Sequence, residues 1–192
     1  MPAGSYLHTD GVTEDFHCAA GPSGWRYVST ACDGGRIDLT VDSRWHQIRV
    51  EIAGGGWLLR GGVSGAETVW LRSAADDLSQ ASEHSARAAG FAGRSPGLFV
   101  ATARSLRLAV GGSARVRLVA VTGRVLATVL IDQEWTLTAT DSHATDTGPL
   151  PVEHYQIADL ATGATESLHI SADVALSGPG TELHDLQSPP TL

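Results

Sequence analysis

Apolar and polar side chains alternate along most of this chain, and a period of two residues is typical of β-strands with one buried face. The segment RWHQIRVEI at 44–52 is the clearest example, because His46 shares its parity with Ile48 and Val50. Gly, Asp, Ser and Pro separate such runs and mark turns. The pattern predicts strands at 25–30, 36–41, 44–52, 57–61, 67–73, 98–110, 114–121, 124–131, 133–140, 153–160 and 165–176.

The predicted strands are short, regularly spaced and not interleaved with helices, which favours antiparallel pairing. We therefore predict an all-β fold, a single highly curved antiparallel sheet or open β-barrel that encloses a cleft. Residues 21–180 are expected to form a single β domain. We expect a flexible N-terminal segment at 1–20 and a flexible C-terminal tail at 181–192.

Two segments interrupt the strand pattern. Residues 74–90, AADDLSQASEHSARAAG, contain no β-branched residue and are rich in alanine and polar side chains. They are predicted to form a short helix or an ordered loop, and no other helix is expected. Residues 141–152, DSHATDTGPLPV, are expected to form a polar loop.

The charge of the chain argues against several kinds of partner. Its 192 residues carry a formal net charge of −8, so we predict no nucleic-acid binding and no attraction to anionic lipid. No stretch approaches the roughly 18 consecutive apolar residues of a transmembrane helix, so no transmembrane segment is predicted. The first residues lack the basic and apolar regions of a signal peptide, and we expect a cytoplasmic protein.

No cofactor and no metal site are predicted. The glycine runs lack the following helix and lysine of a nucleotide-binding loop. The eight histidines are scattered singly, without the spacing of common metal sites. Cys18 and Cys32 lie outside any CxxC motif, and for a cytoplasmic chain we expect free thiols.

Several polar side chains lie on apolar faces of the predicted strands. In VATARSLRLAVGG, Arg104 shares its parity with Leu106 and Leu108, and Gln133 is in register with Trp135. His46 is likewise a polar residue on the apolar face of its predicted strand. Because burying an unpaired polar group is costly, such residues need hydrogen-bond partners or a wet cavity.

The sequence is consistent with both a closed hydrogen-bond network and a ligand cavity. In a closed hydrogen-bond network, Arg104 would pair with a carboxylate such as Asp42, Asp132 or Glu134. In a ligand cavity, Arg104 would bind a carboxylate, phosphate or sugar oxygen, and aromatic rings would offer flat faces to the ligand. The candidate ligand-binding residues are Arg104, Gln133, Trp135, Trp45, Tyr155 and Phe99.

The second half of the chain resembles a family of bacterial proteins named for glycolipid binding, formerly a domain of unknown function. The similar segments are SPGLFVATARSLRLAVGG, DQEWTLTAT and HYQI, with VDSRWHQIRVEI in the first half. The match is distant and covers roughly residues 25–180. The matching positions in the second half are Pro96, Arg104, Leu106, Leu108, Gly111, Gln133 and Tyr155. In the first half, Asp42 and Trp45 match, and Arg49 is a candidate for a third match.

This resemblance implies a highly curved antiparallel sheet around a cleft. The chain departs from the family pattern at 98–102, where LFVAT replaces a polar segment, and at Ser105, which replaces a second arginine. These changes imply a more apolar pocket. The resemblance supplies no catalytic residues.

Three functions are consistent with these observations. The first is binding of an amphipathic small molecule, glycolipid- or polyketide-like, in a mainly apolar β-cavity. The second is a cofactor-free cyclase or isomerase of a bacterial biosynthetic pathway, whose candidate acid–base residues are His46, Asp132, Glu134 and Tyr155. The third is a structural or interaction module without a pocket, whose exposed edge strands would form a homodimer or bind another partner.

Overall fold

One continuous sheet of fifteen strands and one α-helix are described in the computed structural model, which covers residues 1–145 and 148–187. The strands are β1 (Ala3–His8), β2 (Thr13–Gly21), β3 (Gly24–Ala31), β4 (Arg36–Asp42), β5 (Gln47–Gly54), β6 (Trp57–Ser64), β7 (Glu67–Ala74), β8 (Ser82–Ala86), β9 (Phe91–Ala92), β10 (Ser113–Thr122), β11 (Ala127–Thr145), β12 (Gly148–Asp159), β13 (Thr165–Ser171), β14 (Val174–Gly178) and β15 (Thr181–Leu186). The helix is α1 (Pro96–Leu106), and a 3₁₀ turn spans Leu78–Gln80.

The first and last described strands, β1 and β15, are neighbours in the middle of the sheet. The strand order runs from β8 back to β1, continues with β15, and runs back again to β9. Every neighbouring pair is antiparallel except β9 and β10, which are parallel. The sheet is curled, but no backbone ladder joins its described end strands β8 and β9. The predicted all-β fold and single curved antiparallel sheet are therefore confirmed.

The two terminal segments were predicted to be flexible. Their described residues form strands in the centre of the sheet. β1 and β2 lie within 1–20 almost entirely, and β1 pairs with β15 from Gly4 opposite Leu186 to His8 opposite Thr181. Side chains of these strands alternate between buried and exposed positions, and the buried ones hold the strands in the sheet. Tyr6 of β1, for example, is buried in the core. Residues 188–192 of the expected tail lie outside the described residues.

The segment predicted as a strand at 98–110 is instead the helix α1. Ser95 is its N-cap and Pro96 lies in its first turn, where a proline has no hydrogen bond to lose. Arg107 ends the helix in the left-handed conformation. Buried side chains occur around most of the helix rather than along one strand face, because the sheet curls around it.

The predicted helix or loop at 74–90 and the predicted loop at 141–152 are also wrong. The first contains the 3₁₀ turn and the edge strand β8. The second extends β11 and β12, which pair from Asp141 opposite Val152 to Thr145 opposite Gly148, with residues 146–147 outside the described part. Local polarity misled the prediction because both faces of these strand ends are largely exposed.

A short segment at 87–92, which we call the strap, bridges the two ends of the curled sheet. On one side, Ala89 N–H donates to Arg117 O on β10 at 2.9 Å. On the other side, Gln47 of β5 donates to Phe91 O at 3.1 Å and accepts from Phe91 N–H at 2.7 Å. Thr68 of β7 donates to Ala88 O at 2.9 Å. Side chains thus join the ends where no ladder forms.

The helix α1 fills part of the interior and lies against β4, β9 and β14. Its first turn fits closely on the sheet, because a Cβ at Gly97 would lie 2.5 Å from Tyr27 Cδ1. The remaining space between the two halves of the sheet forms the cleft described next.

Candidate functional site

A cleft of about 920 Å³ lies between the two halves of the curled sheet. One wall comes from β2 to β5 and the other from β10 to β13, and the strap, α1 and the turn before β15 also contribute. The apolar side chains that line it are Val12, Ala31, Ile37, Ile52, Ala53, Ala92, Leu98, Phe99, Ala120, Val121, Leu126, Ile131 and Ile157. The side chains that line the cleft are therefore mainly aliphatic.

A buried carboxylate, Glu14, lies at the wall of this cleft with only 3% of its surface exposed. Its Oε1 accepts hydrogen bonds from Tyr27 Oη at 2.9 Å and from Ser29 Oγ and Ser95 Oγ, each at 2.5 Å. Its Oε2 lies 2.8 Å from His8 Nε2. Oε1 thus has three donors and Oε2 has His8, so both oxygens of the carboxylate are engaged.

The Glu14 network ties four elements together. His8 is on β1, Glu14 on β2, Tyr27 and Ser29 on β3, and Ser95 precedes α1. Ser95 makes no side-chain cap to its own helix because its hydroxyl serves Glu14. The network therefore fixes the start of α1 against the sheet.

Two opposing effects act on the pKa of Glu14. Burial raises it, whereas the hydrogen bonds from His8, Ser29, Ser95 and Tyr27 lower it, and the net direction is downward. Glu14 is therefore ionised at neutral pH. Burial and the charge of Glu14 raise the pKa of Tyr27 well above its usual value, so that this phenol remains a donor.

Charged residues at the cleft are partly neutralised by one another. Arg94 lies 3.3 Å from Asp10 and 3.8 Å from Asp33, between the turn after β1 and the turn after β3. Two further arginines, Arg36 and Arg124, line the cleft with exposed side chains.

Two of the six predicted ligand-binding residues, Phe99 and Gln133, line the cleft. Gln133 Oε1 accepts a hydrogen bond from the indole of Trp135 at 3.0 Å. Trp135 in turn packs edge-on against Tyr155, with 6.2 Å between ring centroids. Trp135 and Tyr155 are buried and support the cleft from behind rather than lining it.

Arg104 is held in a closed network of an ion pair and hydrogen bonds. From the last turn of α1 it pairs with Glu153 on β12 and donates from Nε to Ala172 O at 2.9 Å. Tyr155 also donates to Glu153, at 3.3 Å. The predicted alternative of an internal ion pair is thus observed, but with Glu153 instead of the three carboxylates suggested from the sequence.

Trp45 and His46 lie apart from the cleft. Trp45 has a positive φ of 68° and packs on Trp25, with 5.3 Å between centroids. His46 is half exposed, and its Nδ1 lies 3.0 Å from Asp42 Oδ2. The strand predicted at 44–52 starts only at Gln47. Trp45 and His46 therefore belong to the turn before β5 and not to the strand on which they were predicted.

The four candidate acid–base residues are not brought together. Asp132 faces Arg117 and Glu134 faces Arg115 on the exposed side of β10 and β11. The hydrogen bond from Arg117 lowers the pKa of Asp132. Burial and the charge of Glu153 raise the pKa of Tyr155 to about 12. With His46 elsewhere, these residues form no common site in the structure.

His8 and Glu14 were not predicted as site residues because both lie in the segment that was expected to be flexible. The signal was present, since Glu14 shares its parity with Phe16 and Cys18 in TEDFHCAAG, and all three are buried. A carboxylate on an otherwise apolar strand face was the same type of exception that drew attention to Arg104.

Both cysteines are free thiols. Cys18 is buried near Asp173, and burial raises its pKa to about 12. Cys32 is exposed, and a hydrogen bond with Thr13 lowers its pKa. Over 1–145 and 148–187, no three His, Cys, Asp or Glu side chains are grouped so that they could hold a metal ion. No helix within the described ranges has the length and apolar character needed to cross a membrane.

No protein-family model and no curated protein matches this chain. It is similar to the crystal structure of a DUF1089 family protein from Pseudomonas aeruginosa, with a TM-score of 0.51 and 16% sequence identity. The similarity covers 87% of this chain and 89% of that chain. At this identity it shows a shared fold alone. The resemblance noted in the sequence is therefore supported as a distant similarity in fold to an uncharacterised family, and not as glycolipid binding.

Proposed function

We propose that this protein binds an amphipathic small molecule, glycolipid- or polyketide-like, in the cleft between the two halves of the sheet. The observation that carries this proposal is the cleft itself, with a volume of about 920 Å³ and mainly aliphatic walls. Sites for small ligands commonly measure about 300–1,000 Å³ and combine apolar walls with a few polar groups.

The polar groups of the cleft suit a ligand with one polar part. Gln133 uses its Oε1 for Trp135, and its amide nitrogen makes no hydrogen bond to any residue within the described ranges. This nitrogen is thus free to donate to a ligand oxygen. Trp135 keeps the amide oriented, which lowers the entropic cost of binding.

Binding is favoured over catalysis by the state of the acidic groups. Glu14 is the buried carboxylate among the described residues that line the cleft, and both of its oxygens are engaged by four partners. A general base needs a free lone pair within reach of the substrate. We therefore assign Glu14 a structural role, and no cleft observation supports the cyclase alternative.

The first experiment is native mass spectrometry of the purified protein, followed by denaturing extraction, to detect a co-purifying amphiphile. Calorimetric titration with dodecyl maltoside below its micelle-forming concentration then measures binding directly. We expect one molecule bound per chain.

A matched pair of variants locates this binding. Ile131→Gln replaces an apolar residue of the cleft wall, and Leu130→Gln changes its half-exposed neighbour, which does not line the cleft. Ile131→Gln should weaken binding about tenfold through lost apolar contact, and Leu130→Gln should leave it unchanged. Equal effects of both variants, or no binding of any amphiphile, would contradict the proposal.

A further inference from the structure

Most arginines of this chain are engaged by other side chains. Seven form ion pairs, and Arg72 lies over the ring of Trp57. The paired residues are Arg26, Arg49, Arg60, Arg94, Arg104, Arg115 and Arg117. Arg36 and Arg124 form no ion pair with any residue of the described ranges, yet both line the cleft. Two uncommitted cations therefore lie at the candidate binding site of an acidic protein.

The fold brings these two arginines to the same end of the cleft. Arg36 is opposite Ala53 in the β4–β5 ladder, and Ala53 precedes Gly55 by two residues. Gly55 lies directly against the turn between β10 and β11, because a Cβ there would be 2.2 Å from Arg124 O. Gly55 has a φ of +58°, which glycine adopts without strain. The turn between β5 and β6 therefore meets the turn between β10 and β11, and both Arg36 and Arg124 line the cleft near this contact.

Within the described ranges, none of the acidic residues that line the cleft forms an ion pair with Arg36 or Arg124. Glu14 is held by four hydrogen-bond partners, and Asp10 and Asp33 share Arg94. Glu166 also lines the cleft, but it lies on β13, two strands beyond β11. Glu166 is thus on the same wall as Arg124, but no ion pair joins it to either arginine within the described ranges.

Apolar side chains adjoin the positive end. Ile37 follows Arg36 and is opposite Ile52 across the β4–β5 ladder. Leu126 follows Arg124 by two residues and is buried. All three apolar residues line the cleft. An anion bound at the arginines would therefore be continuous with an aliphatic surface.

We infer that the cleft binds an amphiphile with a compact anionic head, a carboxylate or phosphate, held by Arg36 and Arg124, and an apolar tail along the aliphatic walls. Guanidinium groups bind such anions through charge-assisted hydrogen bonds. This inference rests on the proposed function and adds the chemistry of the ligand head.

The test compares head groups on one tail. Dodecyl phosphate, dodecanoate, dodecyl maltoside and dodecyltrimethylammonium are titrated calorimetrically, each below its micelle-forming concentration. The two anionic probes should bind about tenfold more tightly than the maltoside. Their affinity should fall with added salt, because screening weakens exposed charge interactions. Inorganic phosphate, which has no tail, should bind far more weakly.

Two double variants with the same change in net charge separate the site from general electrostatics. Arg36→Gln/Arg124→Gln should remove the preference for anionic heads and leave maltoside binding intact. Arg44→Gln/Arg87→Gln changes two exposed arginines outside the cleft and should retain the preference.

The outcomes distinguish the inference from the proposed function. Binding of all heads with equal affinity, or equal losses in both double variants, would overturn the inference and leave the proposed function standing. Inorganic phosphate binding as tightly as dodecyl phosphate would also overturn it, because no tail would then be recognised. Failure of all four amphiphiles to bind would overturn both.

Discussion

At the scale of single residues, Glu14 shows how a charge is kept beside an apolar cleft. Burial alone would favour its neutral form, but donors from three other strand residues and Ser95 favour the carboxylate. Arg104 is treated in the same way by Glu153 and Ala172 O. In both cases the partners come from distant parts of the chain, so each ionic residue also fixes tertiary structure.

Glu14→Gln should lower the free energy of unfolding by about 2–4 kcal/mol at pH 7, because buried donors lose a charged acceptor. The folded-state pKa of Glu14 is below its ordinary value of 4.5. Its stabilisation is therefore complete above about pH 4.5 and is lost as the pH falls through the lowered folded-state pKa. Urea unfolding of wild type and variant, at pH 7 and at a series of pH values below 4.5, should show a difference that shrinks as the pH falls.

Glu134→Gln is the control for this measurement. Glu134 is exposed and paired with Arg115 at 3.3 Å, so its loss should change stability by less than about 1 kcal/mol. A Glu14→Gln variant as stable as this control at pH 7 would contradict the structural role of Glu14.

At the scale of elements, the strap replaces the ladder that the end strands do not form. Gln47 is only 2% exposed, and it supplies one donor and one acceptor to the backbone of Phe91. A backbone segment buried without such partners would be costly. The amide side chain therefore performs the role of a strand neighbour.

Gln47→Leu should destabilise the protein by about 2–4 kcal/mol, because the N–H and C=O of Phe91 are left buried without partners. Hydrogen exchange at the Phe91 amide should become faster than in the wild type. Arg49→Gln, on the same strand but exposed, should stay within about 0.5 kcal/mol of wild type. Unchanged exchange at Phe91 in the Gln47 variant would show that the strap is held by other contacts.

At the scale of the whole molecule, the first and last described strands lie side by side in the centre of the sheet. β1 pairs with β2 on one side and β15 on the other, and this pairing joins the first half of the strands to the second. The cleft lies between these same halves. Its shape consequently depends on contacts between residues that are most distant in sequence.

A chain that ends at Pro179 lacks β15 and should lose cooperative thermal unfolding, because β1 and β14 each lose a ladder partner. A chain that ends at Gln187 retains all described strands and should unfold like the full protein. Circular dichroism with temperature would measure both. A folded chain ending at Pro179 would show that the two halves are joined by the core and the strap alone.

The sequence by itself determined the class of the fold and the location of most strands. Alternation sets which face of each strand is buried, and this information is local, as at β3, β4 and β10. It also indicated that Arg104 and Gln133 need hydrogen-bond partners or a wet cavity. These conclusions follow from the cost of burying polar groups and need no knowledge of tertiary contacts.

Only the tertiary structure decided α1, the order of the termini and the partners of the buried charges. Residues 98–106 carry alternation that suits a strand, but a helix inside a curled sheet is buried on most sides, so its pattern lacks a clear helical stripe. The pairing of β1 with β15 and the contact of Gly55 with Arg124 O join distant segments. Such contacts depend on how the whole sheet curls, and no local pattern specifies them.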